Sequence, residues 1–188
     1  MARLKSAEKR AAILEAAVRE IAQAGVGAST AQIAKGAGLA EGTLFTYFPT
    51  KDELLNELYV ELKSDVYRRI NAVFPHRAGL RERARHIWTE YMHWAMEKPE
   101  ARKASLQLHV SDRVTAETRE RINPEFGTVA KTMDEVSRSG AFKTLPTDFA
   151  SAAMKAMQEA VMDSAAKKPR QKGKLIEEGF EAFWRMAK

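Results

Sequence analysis

Between Ser29 and Leu54 the chain is punctuated so closely that only short helices fit. Ser29 and Gln32 make a capping box, in which the Ser29 hydroxyl takes the Gln32 amide proton while the Gln32 side chain reaches back, so a helix starts at about Ala28–Thr30. Ile33, Ala34 and Ala37 give that helix an apolar edge, and the small residues Ala34, Ala37 and Gly38 let another helix approach closely. Gly38 ends it by supplying a positive φ that other residues resist. Leu44, Phe45 and Phe48 give the next helix an inward side, and Pro49 closes it, because proline disfavours helical geometry in the residue before it. Thr50 and Glu53 form a second capping box, opening a long helix with Leu54, Leu55, Leu58, Leu62, Val66, Ile70 and Val73 on one stripe. Two short helices meeting at Gly38-Leu39-Ala40, with a third start at once behind them, spell a helix-turn-helix.

The rest of the chain carries the same period. A first helix spans about Ser6 to Ala24, with Ile13, Leu14, Ala17, Val18, Ile21 and Ala22 inward, and Gly25 and Gly27 stop it. The long helix from Thr50 runs to Phe74, where Pro75 and Gly79 break the chain. Leu80, Ala84, Ile87, Trp88, Tyr91 and Ala95 mark the next, ended near Pro99, and a short one follows from about Ala101 to His109. Ser111-Asp112 offers a cap for a helix to Ile122, and Asn123-Pro124 caps another that ends at Gly140. Thr147-Asp148 caps a helix to about Ala166, and the last runs from about Lys174 to the end, after the basic stretch Lys167–Lys172. No segment has strand alternation, so the expected fold is all-α with about nine helices, divided into residues 1–53 and 54–188.

Chemistry is constrained mainly by what the chain lacks. It has no cysteine, which excludes disulfides, thiolate metal sites and thiol nucleophiles. Its four histidines are scattered, and Glu90-x-x-His93 is half of a carboxylate-bridged metal site with no second copy. No glycine-rich phosphate loop follows a strand and no serine stands in a nucleophile elbow, so neither enzyme activity, metal nor cofactor is expected. The start MARLKSAEKR is charged where a signal peptide is apolar, and no apolar run approaches the roughly 18 residues of a membrane span, so a cytoplasmic location without membrane contact is expected. A net charge of +6 suits a polyanionic partner, and 45% hydrophobic residues suffice for a buried core.

From Ile13 to Leu55 the chain resembles the DNA-binding domain of the tetracycline-repressor (TetR) family. The resemblance lies in a first helix ending in a glycine loop, a short scaffold helix, a turn, the recognition helix Gly42-Thr43-Leu44-Phe45-Thr46-Tyr47-Phe48 and the helix start Pro49-Thr50-Lys51-Asp52-Glu53-Leu54. It implies a transcriptional regulator of the repressor kind. Such a protein binds a palindromic double-stranded DNA operator as a homodimer and is released by a small-molecule effector held in the segment 54–188. In the family's pattern Ser29, Thr30, Thr43, Tyr47 and Lys51 hold phosphates, while Ala31, Glu41, Gly42, Phe45 and Thr46 face bases. Arg3, Lys5, Lys9 and Arg10 would form a basic arm, or a solvated tail. The chain departs from the pattern in three places. Ala40 stands where a serine-like N-cap is common, at a cost of about 1 kcal/mol. Phe45 replaces a tyrosine, and Ala31 stands where relatives can carry an arginine. Phe45 and Phe48 have an alternative role as core, and Glu41 as a carboxylate that favours a helix N-terminus.

The resemblance also implies an effector site, where the sequence is rich in aromatics and methionine: Trp88, Tyr91, Met92, Trp94, Leu106, Phe126 and Met133. Taken singly, most of these residues read as plain core, and the site rests on the group. Homodimerisation is expected through the last two helices, whose apolar sides carry Phe149, Ala153, Met157, Ala160 and Val161, then Leu175, Ile176, Phe180, Phe183 and Trp184. The competing expectation is a helical DNA-binding or interaction protein with no effector.

Overall fold

The computed structural model describes residues 6–188, the side chains of residues 123–125 excepted. The described residues form ten α-helices, joined by turns, and no strand, against about nine helices expected. They divide into two compact units, one made of the chain up to Asp65 with Lys98–Asn123, the other of Val66–Glu97 with Pro124–Lys188.

The first unit holds α1 (Ala7–Ala24), α2 (Thr30–Gly36), α3 (Glu41–Tyr47), the first part of α4 (Lys51–Ala72), α6 (Pro99–His109) and α7 (Ala116–Arg121). Ser6 caps α1 by accepting from the Lys9 amide, and α1 packs against α2 and α6. The apolar faces close on one another through Ile13, Ile21, Ile33, Leu44, Leu54, Leu55, Leu58 and Leu108, each no more than 1% exposed. Burial of that kind stabilises by about 1.5–3 kcal/mol per large side chain.

The second unit holds the end of α4, α5 (Leu80–Glu97), α8 (Asn123–Ser137), α9 (Phe149–Lys167) and α10 (Lys172–Met186). α10 packs on α9 and α5, and Trp88 of α5 is buried against the rings of Phe180 and Phe183. Gly140 has a φ of +51°, and a Cβ there would stand 2.5 Å from the Lys188 carbonyl oxygen, so the turn after α8 accepts only glycine beside the chain end.

Several boundaries differ from expectation for local reasons. Val73 is 74% exposed because α4 stops at Ala72, so the buried stripe ends at Ile70. The cap of α7 is Thr115, whose Oγ1 accepts from the Thr118 amide at 3.1 Å. Ser111 instead accepts from Arg113 and closes a turn, which delays the helix. α8 ends at Ser137, before Gly140, and Asp148 stands at the N-cap of α9 without a side-chain bond. The basic stretch forms a 3₁₀ turn at Pro169–Gln171, and the last helix begins two residues early, at Lys172. The expected cap Asn123-Pro124 lies outside the described side chains.

Candidate nucleic-acid interface

The turn between α2 and α3 is built by backbone hydrogen bonds. Gly38 has a φ of +69°, and the amides of Gly38 and Leu39 donate to the carbonyls of Lys35 and Ala34, a Schellman closure that satisfies the end of α2. At the other end, the Ser29 oxygen accepts from the Gln32 amide at 3.1 Å. The Ser29 hydroxyl in turn donates to Gln32 Oε1, so the glutamine reaches back to the cap's side chain. Ala40 starts α3 in an extended conformation with no side-chain cap, as its missing hydroxyl requires. Phe48 takes an extended backbone before Pro49, and Thr50 then accepts from the Glu53 amide at 3.1 Å to begin α4.

This construction sorts the residues of α3 into two faces. Leu44 and Phe48 are buried at 0% and 2% exposure, whereas Phe45 is 39% exposed and does not belong to the inward side. Glu41, Gly42, Phe45 and Thr46 share one exposed face, and Ala31 is exposed on α2. Thr46 donates back to the Gly42 carbonyl at 3.1 Å, which fixes its rotamer, and the Thr30 hydroxyl donates to Glu41 Oε1 at 2.5 Å. Glu41 therefore braces α2 against α3 besides favouring the α3 N-terminus.

The donors expected to hold phosphates flank that face. Ser29 is exposed, and Thr30, Thr43, Tyr47 and Lys51 are half-buried. The Tyr47 oxygen accepts from the Ser6 amide at 3.0 Å, which ties the start of α1 to the end of α3 and leaves the phenolic proton to donate elsewhere. Burial and the neighbouring Arg113 guanidinium hold Lys51 below the usual lysine range, with Asp52 opposing them. Arg10 is no loose arm cation: it bonds Glu57 and Glu61 at 3.0 Å each and lies over the Phe48 ring. Arg3 and Lys5 lie outside the described residues.

Arg113 is the residue that sequence reasoning missed. Asn56, buried on α4, donates to the carbonyls of Asp52 and Arg113 and accepts from the Thr115 amide, and this clamps the loop before α7 onto the first turns of α4. The Arg113 guanidinium then bonds Asp52 at 2.8 Å. A polar residue inside the stripe of Leu54, Leu55 and Leu58 was the one available signal, and it did not name its partner.

The residues expected at an effector site are dispersed. Leu106 is half-buried in the first unit; the other six belong to the second. Trp88 is 0% exposed, and its indole N–H donates to the Ile176 carbonyl at 3.0 Å. Met92, Trp94 and Met133 are also buried. Tyr91 is half-buried, its hydroxyl donating to Glu159 at 2.6 Å, and the half-buried Phe126 lies 5.1 Å from the Tyr67 ring. Among the described residues no three His, Asp or Glu side chains converge as metal ligands, and Glu90 bonds Arg69. No described helix is long and apolar enough to cross a membrane.

Residues 13–58 match the sequence model of bacterial regulatory proteins of the tetR family. A TetR family transcription regulator from Marinobacter aquaeolei VT8 superimposes with a TM-score of 0.83 at 26% identity, over 95% of each chain. One from Shewanella sp. PV-4 does so with a TM-score of 0.80 at 27% identity, over 94% of this chain and 96% of that one. The transcriptional regulator FadR from Bacillus subtilis, solved in complex with stearoyl-CoA, shares the fold at 20% identity and a TM-score of 0.67, over 94% of this chain and 97% of its own. With the helix-turn-helix built as its caps dictate, residues 13–58 form a DNA-binding domain of the tetR family, in a chain that shares the fold of TetR family transcription regulators over its length.

Proposed function

We propose that this regulator is a repressor that binds a palindromic operator as a two-fold homodimer and is released by a small apolar ligand. The observation that carries the reading is the exposed face Glu41, Gly42, Phe45 and Thr46, flanked by the donors of Ser29, Thr30, Thr43, Tyr47 and Lys51. A face of that kind can lie on base edges while its neighbours hold the backbone of a major groove.

Dimerisation draws its support from α9. Ile176, Phe180, Phe183 and Trp184 are buried within the chain's own second unit, so they argue for no partner. On α9, Ala152, Ala156 and Ala160 are exposed at helical spacing, with Phe149 44% exposed at its start. Small side chains in that pattern let a second copy's helix approach closely, and a two-fold axis would set two recognition helices about 34–36 Å apart. For the effector, Tyr91, Met92, Trp94, Phe126 and Met133 remain the proposed contacts in the second unit, and FadR of Bacillus subtilis with its stearoyl-CoA is a relative in fold that takes an acyl ligand. The burial of Trp88, Met92, Trp94 and Met133 favours a second reading, a DNA binder whose aromatic load is only core.

Selection of duplexes from a randomised pool, followed by light scattering and by operator titrations with aromatic and acyl compounds, separates these readings. A palindromic consensus, a dimer at micromolar concentration and ligand-weakened binding are expected. A monomer on a non-palindromic site refutes the dimeric repressor, and indifference to every compound favours the second reading.

A further inference from the structure

In the second unit, the loop after α4, the start of α5 and the first turns of α8 line a cleft of about 230 Å³. Its side chains include Phe74, His76, Arg83, Thr128, Lys131 and Thr132, so every polar group on its wall has a proton to donate and no carboxylate faces it. Arg83 gives both terminal nitrogens to Glu135, at 3.0 and 2.5 Å, and that pairing holds the Glu135 carboxyl below its ordinary range. The Arg83 Nε–H is buried and meets no acceptor. A buried donor left unpaired is costly, more so on a charged group, and calls for an oxygen that the chain itself does not supply.

The charges and the size narrow the ligand. Glu135 faces both Arg83 and Lys131, so the three groups leave one net positive charge beside the cleft, which matches one negative charge better than two. Thr132 donates to the Thr128 carbonyl, so Thr128 supplies the remaining hydroxyl donor. Phe74, held edge-on by the rings of His76 and His86 at 5.0 and 5.4 Å, provides an apolar wall. The volume lies below the range of about 300–1,000 Å³ that accepts drug-sized molecules.

We propose that this cleft binds a small organic monoanion, a carboxylate on a compact apolar body. Its oxygens meet Lys131 Nζ and the Thr128 hydroxyl, with the Arg83 side chain turning its enclosed Nε–H towards them, and its body lies against Phe74. The site is independent of the operator, so it is tested on the full chain without DNA. Calorimetric titration with benzoate, benzamide and inorganic phosphate at constant ionic strength should show saturable binding of benzoate, one per chain. Benzamide and phosphate should bind at least about ten-fold more weakly, since one charge-assisted hydrogen bond is worth that factor or more. Lys131→Met, at an exposed position, should weaken benzoate by a similar factor. Arg83→Lys, which keeps a cation for Glu135 but has no Nε–H, should do the same, and benzoate should shift the Arg83 Nε–H resonance of the wild type. Absence of saturable benzoate binding overturns the proposal. So does benzamide or phosphate binding as well as benzoate, or benzoate affinity unchanged by Lys131→Met.

Discussion

Gly179 sits on α10 where that helix meets both α9 and α5, and Gly179→Ala measures how tightly the three are packed. A Cβ at that position would stand 2.5 Å from Val161 Cγ2 and 3.0 Å from Trp88 Cζ2. Neither neighbour yields easily. Valine in a helix keeps one strongly preferred rotamer, and Trp88 is fully buried with its N–H bonded to the Ile176 carbonyl one turn away on the same helix as Gly179. The strain of overpacking is about 1–3 kcal/mol, while replacing a helical glycine by alanine returns about 0.5–1 kcal/mol. The net expectation is destabilisation by up to about 2.5 kcal/mol. Gly173 on the same helix has nothing within 4 Å of an added Cβ, so Gly173→Ala should stabilise by about 0.4–1 kcal/mol. Urea unfolding followed by tryptophan emission, at one fixed chain concentration, compares the two variants. Should Gly179→Ala prove as stable as Gly173→Ala, the close packing of α10 on Trp88 and Val161 is wrong.

Trp88→Ala should cost about 3–5 kcal/mol and impair folding and DNA binding together; a stable variant altered only in ligand response would place Trp88 at an effector site instead. Lys51→Ala should weaken binding to every duplex alike and flatten the slope of log affinity against log salt by about 0.9 for each phosphate no longer neutralised, doubled in a dimer; an unchanged slope means that Lys51 holds no phosphate. Glu41→Gln should change the preferred base at one symmetric position of each half-site by about 1–3 kcal/mol, read by randomised-operator selection, and an identical consensus would leave Glu41 as a brace for Thr30 alone. Because Arg83 lowers the Glu135 pKa on folding, the stability it contributes is fully present above the ordinary value of 4.5 and is lost as pH falls through the folded value. Thermal melts of wild type and Glu135→Gln should thus differ by a constant amount from neutral pH to about 4.5 and converge below it, and a difference independent of pH would refute the pairing.

The sequence by itself determined the local chemistry. Ser29 and Thr50 cap their helices as their hydroxyls dictate, Gly38 takes the positive φ that closes α2, Pro49 forces Phe48 out of helical geometry, and the stripe from Leu54 to Ile70 is buried. These features need no information beyond four or five neighbouring residues, and the family resemblance rested on them. The tertiary structure decided which face covers which. Helical spacing favoured Phe48 for the core and left Phe45 open between core and base contact, and only the packing of α3 on its neighbours turned Phe45 out. The same limit hid the burial of Trp88 under α10, the use of Phe180, Phe183 and Trp184 within their own chain, and the capture of Arg10 by Glu57 and Glu61. It also hid the clamp from Asn56 to Arg113, which joins residues 57 positions apart. Periodicity states that a side chain will be covered, but the identity of the cover depends on neighbours far along the chain, which meet only once the helices have packed.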